Sequence, residues 1–535
     1  MRRVIFLLAI LLIWLQGITQ SNIDVLHYKF DISLNDKTDS VEGLATILFI
    51  PLVNTDAISL DLVKESKGKG MIVTRTLLSL LSSTVPSFLQ EDDKLIINKP
   101  GGFRKGDTTE INISYKGVPA DGLIISKNKY GHRTFFADNW PDRGHNWIPC
   151  NDDPADKATV EFIVTAPQHY QVVANGIQIE ETNLPDNKKI THWKEDVPIS
   201  TKVMVIGAAD FAVNLSGVIA DCIPVYSWVY PENREKGFYD YALANEILPF
   251  YINKIGPYPY KKLANVQSKT RFGGLENANT IFYSEESIDG KGSSESLLAH
   301  EIAHQWFGNY ATEKSFAHLW LSEGFATYMT ILYMENKYGE DTAIQMLKED
   351  REQAIAFAKR NKDLSIVNHT RNYMSLLNPN SYQKGGWVLH MLRRQLGDSV
   401  FWKSIRTYYA AHGGKTADSD DLRKIFEKVS GKNLEQFFKQ WVYSPGVPEL
   451  DIQWSYNDKL KNISVTVSQL QKNTLFEFPL EILIQETSLS MPKRFTRNIN
   501  KETETFTIPV SNKPSRFEAD PLTSLLFEGH ISGPK

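Results

Sequence analysis

His300-Glu301-Ile302-Ala303-His304-Gln305-Trp306-Phe307, followed after eighteen intervening residues from His304 by Glu323 in Trp320-Leu321-Ser322-Glu323-Gly324-Phe325-Ala326, is the stretch from which the chain is best read. Two histidines four apart share one face of an α-helix, so both imidazoles can reach a single Zn²⁺ at about 2.0–2.1 Å. Glu301 stands beside them, where a carboxylate accepts a proton from water at the metal. A zinc that does chemistry takes three protein ligands and keeps one position open. Glu323 supplies the third from a second helix packed against the first. Taken alone, Glu323 would be an ordinary solvated helix residue. Its neighbours Trp320, Leu321, Phe325 and Ala326 place it inside, where a carboxylate needs a cation. His318 lacks a helical partner and reads as structural.

Upstream lies Arg271-Phe272-Gly273-Gly274-Leu275-Glu276-Asn277-Ala278-Asn279. Gly273 and Gly274 permit another backbone to approach closely, and Glu276 just beyond can pair with an ammonium. From about Asn22 to Ala212 the pattern is strand-like, as in Thr46–Ile50 and Val160–Val164. Between Asn214 and Ser444 apolar residues recur at three and four: Leu298–Tyr310, Thr342–Lys359, Gly386–Leu396 and Leu422–Tyr443. After Pro445-Gly446-Val447-Pro448 alternation returns in Leu450, Ile452, Trp454 and Tyr456, and again from Phe476 to Ile484. The expected fold is a multidomain α+β chain. An N-terminal all-β domain takes 21–213, a mainly helical domain with a small sheet takes 214–445, and a small β-sandwich takes 446–535.

A length of 535 residues exceeds what one core organises. The net charge of −4 and pI near 6.3 provide no basic field for nucleic acid, so the expected partner is small or peptidic. Met1-Arg2-Arg3, the apolar run Val4–Leu15 and Gly17-Ile18-Thr19-Gln20 have a signal-peptide layout over residues 1–20. The apolar run is too short for a spanning helix. Export to a periplasm or the exterior follows as an expectation, with a membrane-anchored form if the signal stays uncleaved and no stable span once it is removed. Cys150 and Cys222 are too few for a disulfide framework and are expected to be two buried free thiols.

With both motifs placed, the chain resembles the gluzincin aminopeptidases, the family of aminopeptidase N and leukotriene hydrolase. The zinc pattern of that family corresponds here to His300, Glu301, His304 and Glu323. Its exopeptidase motif corresponds to Gly273-Gly274-Leu275-Glu276-Asn277, with Leu275 for the usual Met. Tyr382-Gln383-Lys384-Gly385 is similar to the family's catalytic-tyrosine segment, and Trp147-Ile148-Pro149-Cys150 also matches.

The resemblance implies a thermolysin-like zinc metallopeptidase domain between two β-domains, one Zn²⁺ per chain, and removal of N-terminal residues from peptides with free N-termini. It gives His300, His304 and Glu323 as ligands and Glu301 as general base for a zinc-activated water. It gives Tyr382 as oxyanion stabiliser, Glu276 as the ammonium site, and Gly273 and Gly274 as backbone partners of the substrate. Trp140 falls near the place where relatives carry a second amine-binding residue. The family's C-terminal helical domain is expected to be missing. An epoxide hydrolase like leukotriene hydrolase uses a further tyrosine at the position of Leu377, and a non-catalytic scaffold would have lost its ligands. The intact set favours the peptidase.

Overall fold

The computed structural model describes residues 21–79, 85–91, 93–472 and 474–534. The expected signal peptide lies outside the described residues. Among these residues no helix is long and apolar enough to cross a membrane.

The alternating pattern of the first two hundred residues becomes three sheets. A seven-stranded sheet centres on Ile23–Ser33, with Val41–Pro51 and Lys157–Pro167 beside it. In Lys157–Pro167 every second side chain from Ala158 to Ala166 is buried, as a pleated strand with one covered face requires. Phe30 and Phe162, opposite each other on paired strands, stack with ring centroids 5.6 Å apart. A four-stranded and a three-stranded sheet complete this domain.

The middle of the chain holds a five-stranded sheet in the order Ala212–Ile219, Ile223–Val229, Leu263–Gln267, Thr280–Tyr283, Gly274–Leu275. Its inner strands Leu263–Gln267 and Thr280–Tyr283 run parallel and are buried at every residue, as happens when both faces are covered. Gly274–Leu275 is the edge, antiparallel to Thr280–Tyr283. The expected boundary at 213/214 falls within the first strand of this sheet. Three helices share the cleft at this edge, Glu295–Ala303, Trp320–Tyr338 and Glu340–Arg360, and Gly385–Leu396 packs behind on the second of them.

Two helical runs read from the sequence are shorter than expected. The first ends at Ala303 rather than Tyr310, because the chain turns back through Gly308 at φ 114°. The run from Leu422 to Tyr443 breaks at Gly431, whose left-handed φ of 71° closes Ser419–Ser430. A short helix Glu435–Phe438 and a π-helical turn Lys439–Tyr443 follow.

The C-terminal region is a sandwich of a four-stranded and a three-stranded sheet. Burial alternates along Asn462–Gln469 and Phe478–Gln485. Trp454 of one sheet stacks on Phe517 of the other at 5.0 Å. This region is fastened to the helices by the Arg351–Asp520 pair at 2.6 Å and by His390. The His390 Nε2–H donates to the Thr523 carbonyl at 2.8 Å, and its Nδ1 accepts from the Tyr328 hydroxyl at 3.0 Å. Burial holds the imidazole down at about 3, so it stays neutral.

Of the two thiols, Cys150 is buried as expected and Cys222 is exposed; neither is bridged. Cys222 ends a tight hairpin turn in which Ala220 and Asp221 have positive φ, and such a turn points its side chains to solvent.

The helices Trp320–Tyr338 and Gly385–Leu396 touch backbone to backbone at glycines. A Cβ on Gly324 would lie 2.8 Å from the Gly385 Cα and carbonyl carbon. Gly324→Ala is therefore expected to destabilise the fold by about 1–3 kcal/mol through overpacking, since backbone cannot yield as a flexible side chain can. Thermal and denaturant unfolding check this. An unchanged midpoint would mean that the helix contact has slack.

Candidate active site

The helix Glu295–Ala303 puts His300 and His304 on the face turned to Glu323, which sits in the first turn of Trp320–Tyr338. The His300 and His304 Nε2 atoms are 3.1 Å apart, and the Glu323 Oε2 lies 3.4 and 3.3 Å from them. Tetrahedral bonds of about 2.0–2.1 Å set their ligand atoms roughly 3.3–3.4 Å apart, so this spacing fits a zinc ion. Among the described residues, these three form a group able to hold a metal.

The second row of contacts agrees. His304 Nδ1 is 3.1 Å from the Phe307 carbonyl and 3.0 Å from the Ser322 hydroxyl. A carbonyl only accepts, so Nδ1 carries the hydrogen and Nε2 offers its lone pair to the centre. This brace depends on Gly308, where a Cβ would fall 2.2 Å from the Ser322 Oγ. The donor set also demands positive charge. Burial lowers the His304 pKa, but the Glu323 carboxylate outweighs it and pushes it up to about 9. Glu323 is held well below the carboxylate range despite burial, chiefly by His304.

Glu301 is buried next to the trio, and a Cβ on Gly274 would lie 2.3 Å from its Oε1. Only glycine at 274 leaves that carboxyl its place. Burial lifts Glu301 well above the ordinary carboxylate range, with His304 opposing and Glu276 and Glu323 adding to the rise. Tyr382 belongs to the π-helical turn Asn380–Lys384, and its ring stacks on His300 with centroids 5.9 Å apart. Burial and the nearby Glu323 raise its phenol, which remains a donor at neutral pH.

Glu276 closes the far end. Its backbone carbonyl accepts from the Gln305 and Asn309 side chains, and its side chain is buried with Oε1 lacking a hydrogen-bond partner among the described residues. An orphaned carboxylate oxygen of this kind carries a desolvation penalty that a cationic guest would relieve. Trp140 stands in the same cleft, edge-on to Phe272 at 5.9 Å. The cleft holds about 490 Å³ and is lined by all eight residues singled out from the sequence. Leu377 also lines it and brings no hydroxyl. Sequence reasoning missed Ser322, Gln305 and Asn309, which hold the site residues through contacts set by the turn at Gly308, and Asp350, which lines the cleft from the helix Glu340–Arg360.

A β-domain leading into a helical domain with a His-Glu-x-x-His helix and a distant Glu is an arrangement of the metallopeptidase type. Residues 239–441 match the peptidase family M1 domain and residues 25–203 match the peptidase M1 N-terminal domain. The chain belongs to peptidase family M1. It is 26% identical over 459 residues to aminopeptidase M1 of Arabidopsis thaliana, covering 78% of this chain and 50% of that protein. It is also 26% identical over 431 residues to the probable aminopeptidase 2 of Sulfurisphaera tokodaii, covering 77% and 54%. The chain thus spans about half the length of these curated relatives. The crystal structure of Legionella pneumophila aminopeptidase A in complex with aspartic acid superposes with a TM-score of 0.84 over 96% of this chain and 60% of that one. At 16% identity that likeness speaks for the fold.

Proposed function

We propose that this chain is a zinc-dependent aminopeptidase that hydrolyses the first peptide bond of peptides with a free N-terminus. The observation that carries the reading is the unpartnered buried oxygen of Glu276, in one cleft with three converging metal ligands. His300, His304 and Glu323 would hold one Zn²⁺. Bound there, the ion would supply Lewis acidity, polarising the scissile carbonyl and lowering the pKa of a water towards ~7.

The chain's own groups do the remainder. Glu276 pairs with the substrate's α-ammonium and fixes how far the peptide enters. The free edge of Gly274–Leu275 receives the peptide backbone as an added strand, and Gly273 leaves room for it. Glu301 takes the proton of the attacking water and delivers it to the departing amine. The Tyr382 hydroxyl donates to the oxygen on which negative charge develops.

A panel of aminoacyl-p-nitroanilides, assayed with and without 1,10-phenanthroline alongside metal analysis, tests the reading. The expected result is one zinc per chain, release of the chromophore and its loss on chelation, with recovery on adding zinc. A metal-free protein that is fully active, or a zinc protein that cleaves none of the panel, would contradict it.

A further inference from the structure

Away from the catalytic groups the cleft has a further carboxylate without a partner among the described residues. Asp350 lines it together with Ser296, Leu297, Thr327, Thr330, Ile331 and Met346. It is half-buried and makes no hydrogen bond or ion pair with any described residue. Burial, with Glu349 adjacent, pushes its carboxyl up to about 7. The catalytic steps above leave it unused.

Its position along the cleft follows from three relations. First, the Glu276 carbonyl is held by Gln305 and Asn309, beyond His304, whereas Gly273 stands by Leu297, its Cβ position 3.8 Å from Cδ1. The segment from Gly273 to Glu276 therefore runs alongside the His300 helix from its start to its end. A peptide whose ammonium sits at Glu276 extends back towards Gly273, so its second residue faces the Leu297 end.

Second, the Glu323 helix is antiparallel to the His300 helix. Ser322 meets His304 at one end, and Tyr333 and Lys337 meet Glu295 at the other. Thr330 and Ile331 are thus level with Ser296 and Leu297. Third, the helix Glu340–Arg360 doubles back at Gly339. Asp350 is as far after Gly339 as Tyr328 is before it, so it lies abreast of Thr327 and Thr330, about 6–8 Å along the helix axis from Glu323.

We infer that Asp350 selects a basic side chain, lysine or arginine, on the second residue of the substrate. This rests on the aminopeptidase reading. The wall suits such a guest: Leu297, Ile331 and Met346 pack the aliphatic stem, and the carboxylate of Asp350 takes the cationic tip. A glutamate in that position would face Asp350 with like charge.

The test compares kcat/KM of the zinc-loaded enzyme on Ala-Lys-Ala, Ala-norleucine-Ala and Ala-Glu-Ala, and on Lys-Ala-Ala against norleucine-Ala-Ala. Norleucine keeps the stem of lysine and removes its charge. Lysine at the second position is expected to exceed norleucine by about tenfold or more, with glutamate lowest. In D350N the lysine-to-norleucine ratio should fall to within about threefold, and D350K should favour glutamate. A wild-type ratio within about threefold overturns the inference, and this comparison needs no variant to fold. So does a basic preference that appears at the first position instead of the second. Failure to release alanine from any tripeptide would remove the inference together with the aminopeptidase reading, and the aminoacyl-p-nitroanilide panel reports that second failure separately.

Discussion

Glu301→Gln is expected to keep one zinc per chain and to lower kcat by about 10²-fold or more. The proposed ligands His300, His304 and Glu323 are left unchanged. Gln is nearly isosteric, and the glycine at 274 leaves the side chain the room it needs, because a Cβ there would fall 2.3 Å from the Glu301 Oε1. What disappears is the group able to receive a proton and hand it to the leaving amine. Metal analysis and single-substrate kinetics on the same preparation separate the two effects. Activity within a few-fold of the parent would assign the base elsewhere, and zinc lost together with activity would make Glu301 a structural support of the metal.

Acetylating the N-terminus of a good peptide substrate should nearly abolish its turnover. The Glu276 carboxylate is buried, and its Oε1 has no hydrogen-bond partner among the described residues. An α-ammonium satisfies it, whereas an acetyl amide brings no positive charge and fills the space where that charge belongs. Leaving the carboxylate desolvated and unpaired costs about 3 kcal/mol or more, a loss above a hundredfold in kcat/KM. Mass spectrometry of matched free and acetylated peptides checks this. Comparable cleavage of both, or cuts at internal bonds, would indicate an endopeptidase.

The metal trio was legible because its two signals are local: a four-residue spacing on a helix, and a glutamate in an apolar setting. The sandwich was legible for a similar reason, since Phe476, Phe478, Leu480, Ile482 and Ile484 alternate in the sequence and are all buried. Asp350 was not legible. In Lys348-Glu349-Asp350-Arg351 it resembles any charged run on a solvated face, and only the hairpin at Gly339 turns that position to the cleft. The brace from Phe307 and Ser322 onto His304 was hidden as well, because it depends on Gly308 adopting a φ of 114° where the periodicity suggested continuing helix. Cys222 shows the converse: a residue type that is usually buried was carried outward by a turn.

The join between the N-terminal β-domain and the central sheet includes three enclosed lysines, and burial lowers two of them, Lys157 and Lys262, to about 7. Lys202 is paired with Glu313 in a fully buried contact, and Lys157 donates to the carbonyls of Asn309 and Tyr310. Lys262 donates to the Ala174 carbonyl and to the Asn279 and Thr280 side chains, while Asn279 reaches Glu195. Asn175 holds the Ala278 carbonyl. Each bond crosses the join or ends next to the segment that follows Glu276. Swinging one domain away from the other would break the buried Lys202–Glu313 pair and strip Lys157 and Lys262 of their acceptors. The joint is a weld without a hinge, and Glu276 keeps a fixed distance from the His300 helix because two domains clamp it from behind.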